Sequence, residues 1–99
     1  MKIEEITYRI RAAIFEVNKQ LGGGFLEKVY ENALMMELAS QGLSAKAQVP
    51  LKVRYKNSII GEYTADIIVE GVVLIELKTV EKLEKGHEAQ ILNYLKATG

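Results

Sequence analysis

The sequence lacks cysteine, which excludes disulfide bonds and metal sites built from thiolates. It also lacks any apolar run near the roughly 18 residues that a membrane-spanning helix needs, so no membrane segment is predicted. Residues 1–5 are acidic and amphipathic and do not have the pattern of a signal peptide. Together these absences favour a cytoplasmic protein.

The sequence also lacks a net charge, because 13 basic residues balance 13 acidic ones. Proteins that bind long duplex DNA usually carry a basic surface, so neutrality counts against strong autonomous binding of nucleic acid. One segment departs from this balance and has no acidic residue, and its basic residues are Lys46, Lys52, Arg54 and Lys56. They are candidates for contacts to nucleic acid, and a solvated strand face is the alternative.

The length and the hydrophobic pattern predict one small α/β domain over residues 1–99. Apolar residues recur at helical spacing in the first 40 residues, interrupted by three glycines at 22–24 that end the first helix. From Val49 the apolar period changes to two, which is typical of half-buried strands. The predicted elements are two helices, three strands that form a meander, and a final helix: 3–21, 25–40, 49–55, 59–69, 72–80 and 86–97.

Charged residues interrupt the third predicted strand after a continuous apolar run at 72–75. Such a run is typical of a strand covered on both faces. Glu76 and Lys78 follow it two positions apart, so their side chains share one face of the sheet. Ionised groups at the end of a buried strand are costly unless they are paired or bind a metal. A Glu–Lys pair on a solvated face is the alternative.

The second predicted strand contains Asp66, a residue type that strands disfavour. A tight turn at 70–71 joins this strand to the third, and a small stagger brings Asp66 and Glu76 to the same region of the sheet. Mg²⁺ is usually held by one or two carboxylates with water and substrate phosphate. A nearby ammonium group can stabilise charge on the phosphate oxygens. An Asp at a simple bend is the alternative.

Three motifs together resemble a known group of nucleases. Asp66, followed ten positions later by Glu76-Leu77-Lys78, resembles the Asp…(Asp/Glu)-x-Lys motif of the PD-(D/E)XK nucleases. Residues 24–30 are similar to the Gly-x-x-Glu-x-x-Tyr signature of the GxxExxY family within that superfamily. Residues 87–95 are similar to the His-x-Ala-Gln…Tyr-Leu helix of the same family.

The resemblance implies an α/β (α+β) fold with a restriction-endonuclease-like core, in which helices flank the three-stranded meander (ααβββα). Members of the family continue into one more strand after a Lys-Ala-Thr-Gly stretch, whereas this sequence stops at Gly99. The last core strand is therefore missing, and either the sequence is a shortened form or another copy of the chain completes the sheet edge. Because an exposed sheet edge favours pairing with another chain, we expect a homodimer through this incomplete edge.

The resemblance also implies roles for particular residues. Asp66 and Glu76 would bind Mg²⁺ or Mn²⁺, Lys78 would stabilise the transition state, and the remaining candidates divide into catalytic and supporting groups. The further catalytic candidates are Glu27, as a third acidic group, and Gln90, as a ligand of water or phosphate. The supporting candidates are Tyr30, Glu31, His87 and Tyr94. Each of four candidates has a simpler alternative. Glu27 could only interact favourably with the helix dipole, and Glu31 could be a solvated helix residue. Tyr30 could be an ordinary core residue, and His87 a surface residue at the start of its helix.

Three functions are consistent with these patterns. The first is a Mg²⁺-dependent nuclease that acts on DNA or RNA. The second is a catalytically inactive or partner-dependent module of the same fold that binds nucleic acid. The third is a homo-oligomeric scaffold in which the polar cluster is an internal network of salt bridges.

Overall fold

Two helices pack on one face of a small antiparallel sheet. The computed structural model describes residues 1–78 and the backbone of Gln90–Ile91. Its elements in chain order are α1 (Ile3–Leu21), α2 (Glu27–Ser40), β1 (Ala45–Tyr55), β2 (Ser58–Val69), β3 (Val73–Ile75), β4 (Leu77–Lys78) and β5 (Gln90–Ile91).

The helices form where the apolar periodicity predicts them. The buried stripe of α1 consists of residues at helical spacing, Ile6, Ile10, Ala13 and Val17. It packs with the buried residues of α2, among them Leu34 and Leu38. Helix α2 begins at Glu27, because Leu26 still has an extended backbone. Neither helix within residues 1–78 is long and apolar enough to cross a membrane.

Strands β1, β2 and β3 form an antiparallel sheet in the order β1-β2-β3, which confirms the predicted meander. The turn between β2 and β3 consists of Glu70 and Gly71, which have φ of 55° and 70°. Two consecutive residues with positive φ are typical of the tight hairpin turn whose twist matches that of the strands. Between Val53 and Arg54 the register with β2 shifts near Gly61, where the sequence predicts a bend.

The two faces of the sheet carry different clusters. The inner face is the one on which the helices pack, and Ile67, Val69, Val73 and Ile75 contribute to its core. The outer face carries a smaller cluster in which Ile68 and Leu74 pair across β2 and β3 and contact Ala65. The inner face therefore holds the main core of the described residues.

Helix α2 begins two residues after its predicted start, and the structure differs from the predicted elements at three further places. Strand β1 begins at Ala45, four residues before the predicted start. The predicted third strand is split, because Glu76 separates β3 from β4. Gln90–Ile91 pairs with β4 as a short strand, so the predicted final helix is wrong at these two residues. The rest of that predicted helix, with His87 and Tyr94, lies outside the described residues.

Candidate active site

The hydrogen-bonding pattern between β1 and β2 is interrupted at Gln48 and Asp66. The strands pair at Ala47–Ile67 and again at Val49–Ala65, which leaves Gln48 and Asp66 opposite each other. Gln48 has φ of 53°, a left-handed conformation that is unfavourable for a residue with a side chain. On β2, Ile67 belongs to the inner cluster and Ala65 to the outer one. The regular alternation of faces therefore changes at this position in both strands.

The carboxylate of Asp66 takes part in the break between β3 and β4. The pairing of β2 with β3 ends at Ile67–Ile75, so Asp66 and Glu76 are the next residues on the two strands. The backbone N–H of Leu77 donates a hydrogen bond of 2.7 Å to Oδ2 of Asp66. Asp66 thus replaces a backbone acceptor at the point where the two strands separate, and this bond also fixes the orientation of its carboxylate.

Glu76 lies within this break and is half-buried. No residue in the described part of the chain forms a hydrogen bond or an ion pair with its carboxylate. Lys78 follows at the end of β4, where it is exposed to solvent. The side chains of the two residues are therefore available to a ligand as far as residues 1–78 are concerned.

Glu31 is the buried acidic residue of the described chain, with 5% of its surface exposed. The alternative that Glu31 is a solvated helix residue is therefore wrong. Its Oε1 accepts a hydrogen bond of 2.9 Å from Nε2 of Gln48, and its Oε2 lies 3.3 Å from Nζ of Lys28. Burial of a carboxylate is costly without such partners. The Gln48 contact connects α2 to the strand position that faces Asp66.

Glu27 and Tyr30, the other two motif residues of α2, have different environments. Glu27 is exposed in the first turn of α2. The buried hydroxyl of Tyr30 donates a hydrogen bond of 2.6 Å to the carbonyl oxygen of Gly22 and accepts one of 3.3 Å from the N–H of Phe25. Tyr30 therefore holds the glycine-containing connection between α1 and α2 in place, which is a structural role.

The four basic candidates at 46–56 do not share one surface. Lys46 pairs with Ile68 and therefore lies on the outer face. Lys52 and Arg54 alternate with Leu51, which packs on the outer cluster, so they project on the inner side. Lys56 is in the turn after β1, where its Nζ lies 5.5 Å from the centre of the Tyr55 ring.

The candidate catalytic residue Gln90 is described only by its backbone, which pairs with Lys78. This pairing brings the chain around Gln90 next to the motif Lys. The side chains of His87 and Tyr94 lie outside the described residues, as does that of Gln90.

The chemistry of the described donors suits a hard divalent cation, because they are carboxylate oxygens. Within the described residues, no group of three or more acidic, His or Cys side chains is close enough to hold a metal together. Asp66 and Glu76 would supply two carboxylates, which is the number that Mg²⁺ usually takes from a protein when water and substrate complete its shell. The donor set therefore fits a hydrated ion and not a closed protein cage.

Two features of the site were missed in the sequence analysis. The burial of Glu31 had a signal, because Glu31 lies three and seven positions before the core residues Leu34 and Leu38. Gln48 had none, since neither its positive φ nor its bond to Glu31 is encoded in a local pattern.

Comparison with known proteins identifies the superfamily of this chain. The sequence profile of the PD-(D/E)XK nuclease superfamily matches residues 4–99. No curated protein and no solved structure matches the chain significantly. The profile match covers nearly the whole sequence and includes Asp66, Glu76 and Lys78, the motif residues at the break between β3 and β4. This chain belongs to the PD-(D/E)XK nuclease superfamily.

Proposed function

We propose that this chain is a metal-dependent nuclease that hydrolyses phosphodiester bonds in DNA or RNA. The observation that carries the proposal is the strand break at Glu76, where Asp66 accepts a hydrogen bond of 2.7 Å from the backbone of Leu77. This break gives the two acidic motif residues adjacent positions at the end of the β2–β3 pairing. Membership of a nuclease superfamily supports the same function.

In this proposal Asp66 and Glu76 bind Mg²⁺ or Mn²⁺. When bound, such an ion would supply Lewis-acid chemistry, polarising the phosphodiester and making water a better nucleophile. Lys78, which is exposed beside the break, stabilises the negative charge that develops on the phosphate oxygens. Asp66 is held for this role by its bond to the N–H of Leu77, which leaves its Oδ1 for the ion.

Glu31 and Gln48 form the second part of the proposed site. Glu31 is buried and bonded to Gln48, whereas Glu27 is exposed. This difference favours Glu31 as the acidic group of α2 that supports the metal ligands. Glu27 would act from the solvent side of the same helix, and Gln90 would bind the attacking water or a phosphate oxygen.

The assignment to the GxxExxY group is also part of the proposal. The hydrogen bonds of Tyr30 to Gly22 and Phe25 give a physical reason for a Tyr in that signature. A single domain over residues 1–99, a cytoplasmic location and a homodimer that pairs through a sheet edge complete the proposal. Light scattering over a wide range of concentrations tests the dimer, and a monomer throughout would contradict it.

The function is tested by metal binding and by cleavage, with two variants at Asp66. Calorimetric titration with Mg²⁺ and Mn²⁺ should show saturable binding to the unmodified protein and none to Asp66→Ala. Asp66→Asn retains an acceptor for the N–H of Leu77 but loses the charge, so it should fold normally and still lose the metal. Glu4→Gln, which removes one exposed carboxylate in the first turn of α1, is the matched control.

Cleavage is measured on labelled single-stranded and duplex DNA and RNA, with and without EDTA. We expect metal-dependent cleavage by the unmodified protein and by Glu4→Gln, and none by Asp66→Asn. An absence of metal binding up to about 10 mM, well above the range of most protein sites for such ions, would contradict the proposal. An inactive or partner-dependent module of the same fold would then be the better description.

A further inference from the structure

The charges of this neutral chain are unevenly distributed. Residues 45–61 contain four of the 13 basic residues and no Asp or Glu. The rest of the chain has nine basic and 13 acidic residues, which is a formal charge of −4. A polyanion is therefore attracted to one segment and repelled by the average of the remainder.

This basic segment forms most of a projecting hairpin, which also contains Glu62. We define the arm as residues 50–63, the end of the β1–β2 hairpin that includes the turn at Lys56 and Asn57. Both turn residues have positive φ, of 47° and 69°, as in a tight two-residue turn. All residues from 52 to 64 are exposed. Six extended residues on each side give the arm a length of about 20 Å.

The two sides of the arm differ in character. Leu51 contacts the outer cluster, and Val53 and Tyr55 follow it on the same side by strand alternation. Lys52 and Arg54 lie on the opposite, inner side, together with Glu62, which pairs with Lys52 across the two strands and leaves this side with one net positive charge. The hydrogen bond from Gln48 to the buried Glu31 of α2 is also on the inner side of the sheet. The side of the arm that carries Lys52 and Arg54 is therefore the side of the sheet on which Gln48 contacts α2.

We propose that Lys52 and Arg54 form a phosphate-binding row that holds one strand of nucleic acid along the inner side of the arm and leads it toward Asp66. The inference rests on the proposed function, because it assigns the substrate path of that site. Arg54 is six positions after Gln48 along the strand, a span of about 20 Å. A backbone held along this row reaches the strand break directly, while the acidic remainder of the protein disfavours other paths.

The chain provides a matched control for this row. Lys46 lies on the same strand as Lys52 and Arg54, and all three are exposed. Lys46, however, faces the outer side of the sheet, where its partner is Ile68. A charge change at Lys46 alters the net charge of β1 without altering the inner side of the arm.

The test measures binding separately from cleavage. Fluorescence anisotropy with labelled single-stranded DNA, duplex DNA and single-stranded RNA is carried out on Asp66→Asn protein at several salt concentrations. Adding Lys52→Glu and Arg54→Glu should weaken binding at least tenfold at low salt, while adding Lys46→Glu should change it less than twofold. With Lys52→Gln and Arg54→Gln the slope of log affinity against log salt should fall by about one per lost phosphate contact.

Three results would overturn the proposal. The first is an equal loss in the Lys46→Glu variant, since only net charge would then matter. The second is a change of oligomeric state in the arm variants with no change in binding, which would make the arm a protein interface. The third is an absence of binding to all three nucleic acids. If binding follows the prediction but unmodified protein never cleaves, the nuclease proposal fails and the phosphate-binding row stands.

Discussion

Strand β2 contains the dipeptide Ile-Ile twice, and one copy is buried while the other is exposed to solvent. Ile67 and Ile68, near the helices, are 0% and 8% exposed. Ile59 and Ile60, in the arm, are 50% and 62% exposed. The local sequence preference for a strand is the same at both places, because β-branched residues favour strands wherever they occur. What differs is the packing, because the helices cover Ile67 and the outer cluster covers Ile68, whereas Ile59 and Ile60 belong to neither cluster.

This difference divides one hairpin into two parts with separate tasks. The part at 45–49 and 65–69 is the base on which α1 and α2 pack, and its inner residues belong to the main core. The arm gains little from packing and retains its shape through strand pairing. Gln48 and Asp66 lie at the boundary, where pairing is interrupted. The candidate active site thus lies between the packed base of the hairpin and the exposed arm, whose surface is accessible to a ligand.

The largest expected effect is a difference in unfolding free energy between variants of the base and variants of the arm. Ile67→Ala removes a fully buried side chain from the core and should lower the free energy of unfolding by about 2–5 kcal/mol. Ile59→Ala removes the same atoms from the arm and should change it by less than about 0.5 kcal/mol. Urea denaturation followed by circular dichroism measures both. Similar losses for the two variants would mean that the arm is packed in solution.

The sequence predicted the base of the molecule better than its active site. The periodicity of α1 predicted its bounds, 3–21, because a buried stripe leaves a clear pattern. The first strand was predicted four residues short, because Ala45–Gln48 has little strand preference of its own and pairs only because Val69 and its neighbours are already in the sheet. The true start of β1 depends on pairing with a strand that is distant in sequence, and a local sequence pattern does not contain that information.

The sequence predicted the motif residues of the candidate site, but not the hydrogen bonds and the strand break that hold them in place. Asp66 and Glu76 stood out because charged residues interrupt apolar strands. The split of the third strand at Glu76 was not predicted, since it depends on a hydrogen bond between Leu77 and a side chain eleven residues earlier. Gln48 was missed for the same reason, because its partner Glu31 belongs to a different element.

The next effect concerns the boundary between the two parts, at Gln48. Gln48→Ala removes the donor to a buried carboxylate and should cost about 1–3 kcal/mol of unfolding free energy. Gln48→Gly loses the same donor but relieves the left-handed backbone, so it should be more stable than the Ala variant by roughly 1 kcal/mol. Urea denaturation of both variants gives the difference. A Gly variant less stable than the Ala variant would show that residue 48 does not have positive φ in solution.

The smallest effect compares one tyrosine in each part. Tyr30→Phe retains the buried ring but removes the hydroxyl that bonds Gly22 and Phe25, so the unfolding free energy should fall by about 1 kcal/mol. Tyr63→Phe removes a hydroxyl from a ring in the arm that is 37% exposed, and water replaces whatever it contacts, so stability should be unchanged. Hydrogen exchange at the amides of 22–25 should rise in the Tyr30 variant alone, because the hydroxyl fixes that connection. Unchanged exchange there would mean that the glycine connection is held by backbone bonds and that Tyr30 contributes only its ring.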